Sequence, residues 1–235
     1  DAQESRGLGD VYKRQRQDGK SVKFLYTVPN YSNPSGISQS TERRREILAV
    51  ADELDLLVVE DNPYGLLNLD GDPLPTLKSM DPDNVVYLGS FSKTFAPGFR
   101  IGWVLSPSFV RDKLVLAQES ATLCPPVFSQ FAVSSYLAHW DWRAQVDSFI
   151  NMYRIRRDTM LASLAETMPE GTTWSHPSGG FFVWLTMPGA IDSAAMLPRA
   201  VTKFVAYTPG TAFYADGRGQ RNICLLYTSP SPRDS

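Results

Sequence analysis

Short apolar runs that close on turn-forming clusters alternate along this chain with longer stretches whose apolar residues recur at helical spacing. Lys23 to Val28 is a β-prone run that stops at Pro29, and a polar loop from Asn30 to Gly36 follows. Ser40 or Thr41 can cap a helix over Glu42 to Asp55, where Ile47, Leu48, Ala49, Ala51 and Leu54 form one apolar face. Arg43-Arg44-Arg45 reads most simply as that helix's solvated face. Leu56 to Val59 is continuously apolar, the mark of a strand covered on both sides, and it ends in Glu60-Asp61. Val85 to Leu88 repeats the pattern, and Ile101 to Leu105 gives a fourth strand. Strand, helix, strand and further strands predict an α/β fold: part of a mostly parallel sheet with flanking helices and ligand groups at the strand ends.

Beyond Pro107 the pattern lengthens. Phe109 to Ser120, Val127 to Ala138 and Trp142 to Met168 read as helices, the last long enough to bridge two domains. Trp174, Phe181 to Leu185 and Phe204 to Tyr207 are strand-like around a helix over Ser193 to Lys203, which predicts a smaller C-terminal α+β domain. The expected division is a partial large domain over 22–150 and a small domain over 151–224. The ends stand apart. Residues 1–21 are polar and without periodicity, and the strings GLGDVYKRQ and CLLYTSPSPRDS resemble translated sequencing-adaptor or assembly artefact. Residues 1–21 and 225–235 are therefore expected to be non-native or disordered, and the natural protein longer on both sides.

Composition narrows the function classes. Hydrophobic residues at 43% suit a globular core, and a formal net charge of -2 supplies no basic stripe for nucleic acid. The partners expected are small molecules or a second copy of the chain. Cys124 and Cys224 lie far apart and suggest neither a disulfide framework nor a metal site; Cys124, before Pro125-Pro126, reads as a buried or half-buried thiol. No apolar run approaches the roughly 20 residues that span a bilayer, so the default expectation is a cytoplasmic protein with no membrane partner. His139 and His176 have no companion ligand at metal spacing and read as surface or packing residues.

The chemistry concentrates in VVYLGSFSKTFAPGFRIGW, residues 85–103. Lys93, flanked by Ser90, Ser92 and Thr94 at the end of a strand, is placed to form an imine while the hydroxyls hold an anion. Alone, the segment reads as well as a surface lysine in a polar loop. Two upstream blocks, each after a strand-like run, change that: Asn33-Pro34-Ser35-Gly36 and Asp61-Asn62-Pro63-Tyr64-Gly65. With all three in series, residues 22 to 224 resemble the fold-type I, pyridoxal-phosphate-dependent aminotransferases of class I/II, within them the aminoadipate, kynurenine and aromatic group.

The resemblance implies pyridoxal 5'-phosphate as cofactor and exchange of an amino group between an amino acid and a 2-oxo acid, generally in a homodimer. It implies that Lys93 is the catalytic lysine that holds the cofactor and moves the proton. Asp61 matches the acid that pairs with the pyridine nitrogen, and Tyr64 the donor to the phenolic oxygen. Asn33 matches the asparagine that shares that oxygen. Ser90, Ser92 and Arg100 match the phosphate cradle, where arginine's fork suits a dianion, with Gly98 supplying the backbone turn. Gly179-Gly180 and Pro209-Gly210 match structural turns of the small domain.

The chain departs from the family pattern at its end. An arginine that binds the substrate carboxylate is expected just after an asparagine near the last strand, yet Leu225 stands about there, and Arg221 is a poor substitute. The family's glycine-bearing phosphate turn and the aromatic that stacks on the pyridine ring are expected upstream of residue 22. A fragment without these parts is expected to lack activity. Two rivals remain on the same fold: the aminotransferase-like ligand-sensing domain of bacterial transcriptional regulators, which usually carry His-Gln where this chain has Ser32-Asn33, and a carbon–sulfur β-lyase.

Overall fold

Leu57–Asp61 forms strand β2, with Val58 and Glu60 buried and the residues between them half-buried. In the computed structural model, which describes residues 22–227, β2 pairs in parallel with β1 (Phe24–Thr27) on one side and β3 (Val85–Ser90) on the other. Strand β4 (Gly102–Leu105) completes the sheet antiparallel to β3, in the order β1-β2-β3-β4. Helix α1 (Thr41–Glu53) opens at Ser40, whose hydroxyl accepts the Arg43 N–H at 3.2 Å. Ala51 and Leu54 pack with Leu56, Val58, Val85 and Leu77, the last in the short helix α2 (Leu77–Met80). These elements belong to one compact unit: the described residues through Pro29, Gln39–Pro63 and Pro73–Trp142.

Two polar groups inside this unit depart from the solvated roles that their residue types suggest. Arg44 is fully buried rather than on a wet face. Its guanidinium donates to the carbonyls of Gln39 (3.0 Å), Pro75 (2.9 Å) and Pro29 (3.2 Å), so backbone oxygens replace the water it gives up. Glu60 is equally buried, and its Oε2 accepts the Lys78 N–H at 2.8 Å while Oε1 has no partner. Burial raises the carboxyl's pKa above its ordinary 4.5, against the opposing pull of the Lys78 and Leu77 amides and of Arg44.

Helices α3 (Ser108–Thr122) and α4 (Val127–His139) form where the periodicity predicts them, but their apolar faces stay open. No residue of α3 is buried, Val133 is the only buried residue of α4, and Phe128 and Phe131 are 81% and 72% exposed. Cys124, expected in a buried setting, is exposed in the turn between them.

The second unit comprises Asn30–Ser38, Tyr64–Asp72 and the chain from Arg143 onward. The division thus falls at Trp142/Arg143 rather than near 150, and it adds two short upstream segments. Helix α5 (Trp142–Thr167) contributes Leu164 to a core with Val183, Leu185, Met187, Tyr207, Ile223 and Tyr227. Its sheet runs β5-β6-β8-β7, formed by Thr173–Trp174, Phe182–Thr186, Asn222–Leu226 and Thr208–Pro209, all antiparallel. Helix α6 (Ser193–Val201) is capped by Asp192 and ends in a turn where Phe204 has φ 60 and the Val205 N–H reaches back to the Ala200 carbonyl. That turn takes Phe204 out of the Phe204–Tyr207 stretch expected as a strand, 205–207 are irregular, and the strand comes later, at Thr208. Leu225 and Leu226, expected in a foreign tail, continue β8, and Tyr227 is buried with its hydroxyl donating to the Gly180 carbonyl at 2.7 Å. Residues 1–21 and 228–235 lie outside the described residues.

The loop Tyr64–Asp72 is tied to α5 by charge. Arg157, 7% exposed, forks onto both oxygens of Asp70, with Nη2 to Oδ1 at 3.1 Å, and donates to the Pro177 carbonyl at 3.0 Å. Arg154 Nε donates to the Leu69 carbonyl at 2.8 Å.

Replacing Arg157 by Leu strands the Pro177 carbonyl and leaves Asp70 only the longer ion pair to Arg154, at 3.7 Å. A stability loss of about 2–3 kcal/mol is expected in urea unfolding, at the low end for buried pairs because Asp70 is half exposed; an unchanged midpoint contradicts the tie. Glu60 generates a pH signature. An acid whose folded pKa is raised binds its proton more tightly in the folded state, so its contribution to stability falls as pH rises from 4.5 to the raised folded value. Glu60→Gln is expected to flatten the pH dependence of the urea midpoint across that window. Matching slopes for variant and parent would show that Glu60 titrates elsewhere.

Candidate active site

Parallel pairing sets the first part of the site. Asp61 ends β2 directly opposite Leu88 of β3, and the Asn62 N–H donates to the Leu88 carbonyl at 3.0 Å. Two residues past Leu88, Ser90 closes β3 and the chain turns. The turn is fastened by Phe91 N–H to Ile101 O at 3.1 Å and Phe95 N–H to Phe91 O at 2.9 Å, with the Ser90 hydroxyl accepting the Ser92 N–H at 3.1 Å. Lys93 sits on this turn, half-buried, beside buried Thr94. One unit therefore holds Asp61, Ser90, Ser92, Lys93 and Arg100.

The Pro-Gly turn differs from expectation in detail. Pro97–Phe99 is a single 3-10 turn, and the left-handed residue is Arg100 itself, at φ 56, rather than Gly98. A side chain on Gly98 would meet nothing, whereas a Cβ on Gly89 would collide with the Trp103 ring at 2.2 Å. Gly89 lets Trp103, its register partner on β4, lie over β3 and stack on Tyr87 at 5.1 Å. Burial raises the Tyr87 phenol's pKa, reinforced by Glu60, and Asn62 is its side-chain hydrogen-bond partner.

The donor set suits a bound dianion. Among the described residues neither Lys93 nor Arg100 has a carboxylate partner, and no contact is formed by the Ser92 hydroxyl. Arg100 makes only a long bond of 3.4 Å to the Pro97 carbonyl of its own turn. Two cations and a free hydroxyl within nine residues, Ser92 to Arg100, with Asp61 at the adjoining strand end, fit a phosphate carried on a cationic ring. Asp61 also has a neighbour that the motifs did not flag: the Tyr26 hydroxyl donates to Asp61 Oδ2 at 2.5 Å. Strand alternation was the only signal for it, because Tyr26 and Asp61 lie on the same face of adjacent parallel strands.

Asn33 and Tyr64 belong to the other unit. Asn33 is exposed in a tight turn before a cis peptide bond to Pro34, closed by Gly36 N–H to Ser32 O at 2.6 Å. Gly36, at φ 70, has no room for a side chain, since a Cβ would lie 2.4 Å from the Phe182 carbonyl. Tyr64 is buried with its ring edge-on to Phe181 at 5.6 Å and Phe182 at 5.4 Å. Gly179 and Gly180 pack against Tyr31, in keeping with a structural role. Cys224 is buried beneath this turn, its pKa raised to about 11 by burial, and so stays protonated and unreactive. His139 and His176 are exposed. Leu225 pairs with Val183 and packs on the core, and Arg221 is exposed, so the described residues contain no arginine at the position where a carboxylate binder is expected.

Among the described residues no group of three or more His, Cys, Asp or Glu could hold a metal, and no helix is long and apolar enough to cross a membrane. A cavity of about 250 Å³ lies at the opposite strand ends, bordered by Asp52, Asp55 and Asn84, and contains none of the motif residues.

Comparison with known proteins identifies the family. A family model described as aminotransferase class I and II matches residues 5–226, a span that takes in parts of both ends set apart above. Aromatic-amino-acid aminotransferase 1 of Thermococcus litoralis is 45% identical over 223 residues, a match covering 94% of this chain and 53% of the relative. A solved kynurenine aminotransferase from Pyrococcus horikoshii, in complex with PMP, superposes with a TM-score of 0.90 at 41% identity, over 95% of this chain and 56% of that one. An uncharacterised HTH-type transcriptional regulator of Bacillus subtilis, YdfD, is 32% identical over 96% of this chain and 46% of the regulator. The chain spans about half the length of the curated relatives it matches. On the breadth of the family match and on the parallel strands that end in Asp61 and the Lys93 turn, the chain belongs to the class I and II aminotransferases.

Proposed function

We propose that the protein carrying this chain is a pyridoxal-phosphate-dependent aminotransferase that moves an amino group between an amino acid and a 2-oxo acid. The observation that carries the reading is the cationic set of Lys93 and Arg100, without a carboxylate partner among the described residues, on the turn after β3 and next to the acid that ends β2. When bound, pyridoxal phosphate supplies an electron sink for the carbanion left when the substrate α-carbon loses its proton. Arg100, Ser90 and Ser92 bind the phosphate, through the guanidinium fork and two hydroxyls. Asp61 accepts a hydrogen bond from the ring nitrogen and holds the proton there. Tyr64 and Asn33 donate to the phenolic oxygen, as the family motif assigns. Lys93 Nζ would hold the cofactor and, once displaced from it by the substrate's amine, would carry the proton that leaves the substrate α-carbon.

The reading extends to a cytoplasmic homodimer. The open apolar faces of α3 and α4 suit burial by further protein, and both cysteines are free thiols, as in a reducing compartment. A ligand-sensing regulator domain is the second reading, supported by the YdfD match; the retained Asn33 and the higher identity to an aminotransferase weigh for the enzyme.

Titrating the chain with pyridoxal phosphate is expected to produce a long-wavelength absorbance band that Lys93→Ala abolishes; a band of unchanged position and strength in the variant overturns the role of Lys93. In the full-length protein, incubation with an amino acid donor is expected to yield the matching 2-oxo acid only when a 2-oxo acid acceptor is present. Pyruvate and ammonia without an acceptor would instead indicate the β-lyase, and binding without turnover the sensor.

A further inference from the structure

We propose that Tyr26 is a positioning residue for Asp61, holding one carboxylate oxygen so that the other faces the cofactor's ring nitrogen. The proposal rests on the reading of Asp61 given above. In β1, Tyr26 pairs in register with Val59, two residues before Asp61 on the same face of β2, so the long phenol lies diagonally along the sheet and ends at the carboxylate. The 2.5 Å contact from the hydroxyl to Oδ2 is in the range of charge-assisted O–H···O⁻ bonds. Among the described residues this is the one hydrogen bond that reaches the Asp61 carboxylate. A carboxylate held at one oxygen loses rotational freedom, and it accepts a second donor with less ordering cost.

The position of Tyr26 supports a dedicated contact over incidental packing. Its residue is 53% exposed among the described residues. An exposed phenol is free to bond water, yet its hydroxyl is turned onto the strand-end acid. The neighbouring Tyr87 hydroxyl is engaged elsewhere, with Asn62. Tyr26 thus acts through Asp61, and removing its hydroxyl weakens the pairing with the ring nitrogen without removing the acid.

The test uses pyridoxal phosphate labelled with 15N in the ring, bound to the full-length protein and to its Tyr26→Phe, Asp61→Asn and double variants. Phe keeps the ring, and circular dichroism checks that each variant folds. Tyr26→Phe is expected to raise the cofactor's dissociation constant about tenfold, the loss of one hydrogen bond to a charged group, and to move the ring 15N resonance toward that of unprotonated pyridine. The double variant is expected to match Asp61→Asn alone in both readouts, because Tyr26 has nothing left to position. If Tyr26→Phe binds as the parent does and leaves the resonance unmoved while Asp61→Asn shifts it, the proposal falls and the reading of Asp61 stands. If Asp61→Asn leaves the resonance unmoved, or the parent takes up no cofactor, that reading falls and the proposal with it.

Discussion

Parallel hydrogen bonding among β1, β2 and β3 is the constraint on which this site depends. Parallel strands end at the same edge, so the residues at their carboxyl ends are neighbours however far apart they stand in sequence. Asp61 and the Lys93 turn are separated by a helix and two loops, yet β2 and β3 set Asp61 opposite Leu88 and put the turn just beyond it. Tyr26 joins the same edge through β1. The apolar residues between α1 and the sheet fix that edge, and the polar motif residues stand at its ends.

The second unit holds its motif residues by a different device. There the Asn33 turn and the loop that begins at Tyr64 are short segments fastened to a sheet and a helix far along the chain. Arg157 and Arg154 tie the loop to α5. Gly179, Gly180 and Gly36 let backbones approach where a methyl group would collide, and the Tyr64 ring is wedged against Phe181 and Phe182. Close backbone contact and buried charge, more than regular pairing, set the geometry of these two segments.

Much of this was legible in the sequence, for identifiable reasons. The continuous apolar runs Leu56–Val59 and Val85–Leu88 read as buried strands because parallel sheets are covered on both faces. The three polar blocks stood at strand ends and led to the family. What was not legible required partners distant in sequence. Arg44 looked like a wet helix residue because its carbonyl acceptors, at Pro29, Gln39 and Pro75, lie on other segments. Phe204 to Tyr207 looked like a strand because aromatic and β-branched residues favour one, yet the turn that ends α6 claims Phe204 and 205–207 are irregular. The open faces of α3 and α4 were also invisible, since periodicity predicts an apolar face but not whether anything covers it.

The central claim is that Lys93 is the amine that holds the cofactor. The most direct measurement is borohydride reduction of the chain with pyridoxal phosphate bound, followed by proteolysis and mass mapping. The account predicts a single stoichiometric phosphopyridoxyl group on the peptide that contains Lys93. Label spread over exposed lysines such as Lys113 and Lys203, with the Lys93 peptide unmodified, would contradict it.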